Sequence, residues 1–135
     1  MALCTIFDAA FLIGNMMIEA SCHCGAVRIE IAVRPESLTD CNCSVCRRYG
    51  ALWAYYRPDQ VRFLTPRDTT LAYAHGEKSI AFHHCRVCGC VTHWENVNKV
   101  NADRMAVNAR LCEPLAIEGV AVRRFDGAES WAFLD

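Results

Sequence analysis

Seven of the ten cysteines in this 135-residue chain fall into three tight clusters, and where their sulfurs end up decides which folds are open to it. The clusters are Cys22-His23-Cys24-Gly25, Cys41-Asn42-Cys43-Ser44-Val45-Cys46 and Cys85-Arg86-Val87-Cys88-Gly89. A thiolate binds zinc at about 2.3 Å, and a tetrahedral structural site takes four such ligands. Cys-x-Cys and Cys-x-x-Cys bring two sulfurs to one ion while the backbone turns between them. The glycines after Cys24 and Cys88 suit that turn, because glycine tolerates positive φ. Disulfides are the competing use of so many thiols. Small secreted scaffolds reach this density, whereas close-spaced cysteines in a cytosolic chain more often hold metal. A Cys-x-Cys pair also cannot bridge itself without strain. Cys4 and Cys112 stand alone and read as small thiols without a role.

Two pairs and a triplet supply seven ligands, one short of two closed four-thiolate sites. The simplest division joins Cys22 and Cys24 to Cys85 and Cys88, closing one zinc across most of the chain. Cys41, Cys43 and Cys46 then form a three-sulfur site with a free fourth position, the arrangement of a catalytic rather than a structural zinc. Other pairings remain open at this point. Cys90, His83, His84 or His93 could close the triplet and make both zincs structural. The histidines otherwise read as supporting or surface groups beside the closed site.

A hydrophobic content of 53% supports a single domain with a real core. The net charge is −1, with acids and bases mixed along the chain, so the basic stripe of a nucleic-acid binder is missing. No apolar run reaches the roughly 18–20 residues that a membrane span needs. Residues 1–16 read as an N-terminal extension whose native status the sequence leaves open. Its apolar stretch (Ala9 to Ile13) has no Lys or Arg before it and no Ala-x-Ala cleavage site after it, which argues against export. Met16 or Met17 offers a start just before the first cluster. The expectation is one zinc-binding domain over 17–135, in the cytoplasm.

Within that domain the pattern predicts short strands separated by turns. Val27, Ile29, Ile31 and Val33 alternate with more polar residues and stop at Pro35. Residues 51–56 form an aromatic run that ends before Pro58, and Trp53, Tyr55 and Tyr56 on it imply one core face. Further strands are predicted at 61–64, 70–74, 79–83, 91–94, 105–108, 120–125 and 131–134. His75-Gly76-Glu77-Lys78 reads as a hairpin turn and Asp126-Gly127 as another turn. Residues 96–103 read as a polar loop. The triplet leads into Arg47-Arg48-Tyr49-Gly50 and the aromatic strand, so an open zinc there would face basic and aromatic side chains.

The order Cys-x-Cys-Gly, Cys-x-Cys-x-x-Cys-Arg, Cys-x-x-Cys-Gly over 17–135 resembles the glutathione-dependent formaldehyde-activating enzyme family. The resemblance implies a mainly β fold, a β-tent of small antiparallel sheets organised around two zinc sites. It also implies Zn2+ as cofactor, two per chain: one structural on Cys22, Cys24, Cys85 and Cys88, one catalytic on Cys41, Cys43 and Cys46. The implied activity is that of a carbon–sulfur lyase written in reverse, the condensation of glutathione with formaldehyde. A thiol at the free zinc position would be held deprotonated, and proximity would do much of the rest. Three thiolates on Zn2+ leave a charge of −1, which Arg47 and Arg48 could offset, or they could bind a glutathione carboxylate. With Trp53 they are the candidate substrate-binding residues. The expected partners are a glutathione-like thiol and a small aldehyde, with no nucleic acid and no membrane. Many members carry histidine inside the triplet, where this chain has Asn42. The alternative reading is a non-catalytic zinc or thiol redox module with both zincs structural.

Overall fold

Apolar residues alternating along short segments give strands that bury one face, and the computed structural model, which describes residues 17–98 and 103–135, assembles ten of them. β1 (Ile18–Ser21), β2 (Arg28–Ile31) and β5 (Val61–Phe63) form an antiparallel three-stranded sheet in the order β1-β2-β5. The second sheet has seven strands. They are β3 (Ser37–Cys41), β4 (Trp53–Tyr56), β6 (Thr70–Ala74), β7 (Ile80–Cys85), β8 (Val91–Asn96), β9 (Met105–Asn108) and β10 (Ala121–Phe125), ordered β10-β3-β4-β9-β8-β7-β6. All its neighbours run antiparallel except β10, which pairs with β3 in parallel. The fold is mainly β, with small sheets, as the sequence implied.

Period-two alternation decides which face each residue serves. On β4, Ala54 and Tyr56 join the core shared with Ile18, Ala20, Ile29 and Ile31 of the small sheet, while Trp53 and Tyr55 face the other side. β9 is buried on both faces: Met105 and Val107 enter the inter-sheet core, and Ala106 packs with Trp53, Phe82 and Trp94. The large sheet thus has one face covered by the small sheet and one face built from aromatics and the cysteine triplet.

Several elements differ from the sequence expectation. β1 and β3 carry too few apolar residues to announce themselves. Ile18–Ser21 is secured by its register with β2 (Ile18 opposite Ile31) and Ser37–Cys41 by neighbours on both sides. The predicted strand at 131–134 is reduced to one bridge, Phe133 opposite Phe125. A four-residue helix, α1 (Cys46–Tyr49), begins at the last cysteine of the triplet. Residues 1–16, read above as an extension, lie outside the described residues.

Candidate metal centres and the cavity above them

The turn after β1 and the turn between β7 and β8 meet where the two sheets come together. Gly25 (φ 84°) and Gly89 (φ 80°) adopt the left-handed conformation that lets each turn double back on its cysteines. The sulfurs of Cys22, Cys24, Cys85 and Cys88 all lie within 4.8 Å of one another. Cys22 Sγ and Cys24 Sγ are 3.7 Å apart, and Cys24 Sγ and Cys85 Sγ 3.6 Å. A zinc–sulfur bond of about 2.3 Å sets the edge of a ZnS4 tetrahedron at about 3.8 Å, so this spacing fits zinc. Backbone N–H groups donate to the sulfurs: Val27 to Cys22, Ala26 to Cys24, and Val87 and Cys88 to Cys85. Burial pushes the Cys88 thiol up, but the N–H groups of Cys90 and Cys24, with the Cys22 and Cys85 thiols, outweigh it and bring Cys88 down to about 5. Cys90 packs against this group and not against the triplet.

Cys41 ends β3, Cys43 lies in the turn, and Cys46 opens α1, bringing three sulfurs within 4.8 Å of one another. Among the described residues no fourth Cys, His, Asp or Glu joins them. The indole Nε1–H of Trp53 donates to Cys46 Sγ at 3.3 Å, and the N–H of Cys46 donates to Cys43 Sγ at 3.3 Å. The bond from the Cys46 thiol is the largest cause lowering Cys41 to about 6, against burial and helped by the N–H groups of Cys43 and Gly127. Donating that bond, together with burial, pushes Cys46 up. Both cysteine groups are therefore competent to hold a metal ion, one with four ligands and one with three. All nine described cysteines are free thiols.

Above the triplet lies a cavity of about 990 Å³ lined by Cys41, Cys43, Cys46, Trp53, Tyr55 and further aromatic residues. Its arginine is Arg104, whose guanidinium sits 4.3 Å over the Tyr55 ring. Arg47 and Arg48 lie exposed on α1 outside the cavity lining, with Arg48 Nη1 donating to Ser44 O at 2.8 Å. Nothing local in the sequence ties the C-terminal segment to the triplet. Asn42 Nδ2 donates to Asp126 Oδ1 at 3.0 Å, and its Oδ1 accepts from the Ala128 N–H at 3.0 Å, tying the segment after β10 onto the triplet. The Asp126-Gly127 turn signal was visible, but its partner was not.

Gly127 rests directly on the thiols: a Cβ there would stand 2.7 Å from Cys41 Sγ and 3.2 Å from Cys43 Cβ. Gly127→Ala is therefore expected to weaken zinc binding at the triplet by about 1–3 kcal/mol, the usual cost of overpacking. Competition with a chromophoric chelator measures this, and an unchanged affinity would refute the contact.

The side-chain ligand atoms of His83, His93 and Glu95 also lie within 4.8 Å of one another. Glu95 Oε2 lies 3.1 Å from His93 Nε2 and 3.5 Å from His83 Nε2, and it also pairs with Arg67. Burial holds both imidazoles below their usual range, His83 at about 4. The two rings stack at 4.3 Å and 13°, so their in-plane lone pairs run side by side instead of converging. With Thr70 and Thr92 on the Nδ1 atoms and Arg67 on the carboxylate, this group is a satisfied polar network.

The family model for the glutathione-dependent formaldehyde-activating enzyme matches residues 17–116. Among solved structures, a Rhodobacter sphaeroides protein is 29% identical, with a TM-score of 0.64 over 78% of this chain and 99% of its own. The match takes in all three cysteine clusters and most of both sheets, and this chain belongs to the glutathione-dependent formaldehyde-activating enzyme family.

Proposed function

We propose that Cys22, Cys24, Cys85 and Cys88 hold a structural zinc, that Cys41, Cys43 and Cys46 hold a catalytic one, and that the protein joins a glutathione-like thiol to a small aldehyde. The observation that carries this reading is a three-thiolate set, lacking a fourth protein ligand among the described residues, at the wall of a large cavity. Zinc on three thiolates supplies, when bound, an open position that favours the deprotonated form of an incoming thiol.

The chain's own residues do the rest. Trp53 fixes Cys46 through its indole N–H, and the N–H of Cys46 fixes Cys43, so the sulfurs keep their positions without side-chain rearrangement. Arg104 offers a guanidinium to a thiol carboxylate. Arg47 and Arg48, exposed on α1, offset the excess negative charge at longer range. The aromatic walls shed water around the reacting carbonyl and hold it beside the sulfur, where proximity lowers the barrier. We place this activity in residues 17–135 acting as one domain, in the cytoplasm. No helix among the described residues is long and apolar enough to cross a membrane.

Cobalt-substituted protein tests the reading. Glutathione is expected to shift the thiolate-to-cobalt charge-transfer bands of one of two bound ions, saturably, and to lose that effect when S-methylated. Bands that ignore added thiol would show a closed triplet and favour a non-catalytic zinc module.

A further inference from the structure

We infer that the cavity over the triplet selects an aldehyde larger than formaldehyde, one that carries an aromatic ring. This rests on the reading above and names the second reactant.

Size is the first argument. At about 990 Å³ the cavity is at the upper end of the roughly 300–1,000 Å³ that holds drug-sized ligands. A thiol and an aldehyde of only two non-hydrogen atoms would leave much of it filled with water.

The second argument is how the lining is divided. β10 and β6 are opposite edges of the seven-stranded sheet, and the cavity spans the face between them. Phe125 is paired with Cys41 across the parallel β10–β3 ladder, which puts the C-terminal aromatics beside the thiols. Phe125 meets Trp131 edge-on at 5.1 Å and Phe133 at 5.0 Å. Trp53, Phe82 and Trp94 form the floor, with Trp53 and Phe82 centroids 6.1 Å apart. The polar lining groups His75 and Glu77 come from the β6–β7 turn at the far edge, and Arg104 stands over Tyr55. A charged thiol head fits the polar end. The space next to the sulfurs is bounded by rings.

The third argument is what the rings leave unburied. Trp131 is 72% exposed and Phe133 40%, both on the cavity wall, and Trp131 is held at φ 59° in the left-handed region. A non-glycine residue keeps that conformation only when its surroundings impose it, and such residues cluster at ligand clamps. Here the Trp131 N–H donates to Asp126 O at 2.7 Å, and the Asp126 side chain is held by Asn42 and Ser130. The indole is thereby presented beside the triplet with apolar surface still in water. A substrate ring removes that surface from water and adds edge-to-face contacts with Trp131 and Phe133.

The chemistry balances with the two reactants alone. The thiolate sulfur attacks the carbonyl carbon and a C–S bond forms. The C=O π pair moves to oxygen, which takes a proton from water equivalent to the one the thiol released. The product is a hydroxy thioether, and nothing is oxidised or reduced.

The test uses protein with two zinc ions per chain, glutathione as the thiol, and exchange NMR to follow adduct formation over the spontaneous rate. Phenylacetaldehyde is expected to be accelerated at least about tenfold more than formaldehyde, a ratio within what one apolar contact set can discriminate. Trp131→Ala, and independently Phe133→Ala, should cut that ratio roughly five- to tenfold, since each removes a ring-to-ring contact together with apolar wall area. Equal or greater acceleration of formaldehyde would overturn this inference and leave the proposed function standing. Acceleration of neither aldehyde would overturn both.

Discussion

Cys85→Ser is expected to cost this protein its cooperative fold, with the thermal midpoint falling by more than about 15 °C or the transition disappearing at 25 °C. Cys85 is 1% exposed, ends β7, and accepts N–H bonds from Val87 and Cys88. Its sulfur meets Cys24, 61 residues away, so a metal there joins the turn ahead of β2 to the turn ahead of β8 and links the two sheets. Bound metal contributes folding free energy directly when the site exists only in the folded state, about 10–16 kcal/mol in small zinc domains. That equals or exceeds the net stability of about 5–15 kcal/mol typical of a domain. For a chain of this length each 1 kcal/mol shifts the midpoint by about 3–5 °C. Circular dichroism melts of wild type, Cys85→Ser and chelator-stripped wild type give the answer. A shift below about 5 °C would show that the sheets hold together without this centre.

The cysteine spacing made the grouping of the sulfurs legible because the turn that brings two of them together is a local property. One or two residues between cysteines, followed by a glycine free to take positive φ, nearly dictate a turn with two convergent sulfurs, and Gly25 and Gly89 have that conformation. The strands at 70–74 and 105–108 were readable for a similar reason, since the pattern and the flanking turns agree. The missing information concerns pairing between distant segments. Nothing in Ser37-Leu38-Thr39-Asp40-Cys41 alternates cleanly. Those residues become a strand because β10 offers a parallel partner and β4 an antiparallel one. The same holds for the cavity. Arg47 and Arg48 drew attention because they are next to Cys46 in sequence, whereas α1 turns them outward, and Arg104 reaches the cavity from the far side of the chain. Asn42 looked like a departure inside the triplet and acts as the anchor of the C-terminal segment, a role with no local signature.

Cys46→Ser should have the opposite profile to Cys85→Ser: loss of one zinc per chain and of the reaction, with the fold intact. Cys41, Cys43 and Cys46 come from one short stretch of chain, so a metal there closes a loop of only a few residues. Loop-closure entropy for so short a segment is small, and the ion constrains nothing that β3, α1 and Trp53 do not already hold. Replacing the sulfur by a hydroxyl exchanges a soft thiolate for a poor zinc ligand while keeping a partner for the Trp53 indole N–H. Two sulfurs remain, too few to hold the ion with an open position. The zinc content should drop from two to one per chain, and the thermal midpoint should move by no more than about 5 °C, equivalent to 1–2 kcal/mol. The catalysed rate should fall by about a thousandfold or to the spontaneous rate, since about 4 kcal/mol of barrier lowering is lost with the centre. Retention of both zincs would mean that a fourth group supports the triplet. A melt as low as that of Cys85→Ser would mean that the triplet is structural, and that binding rather than catalysis is what this fold provides.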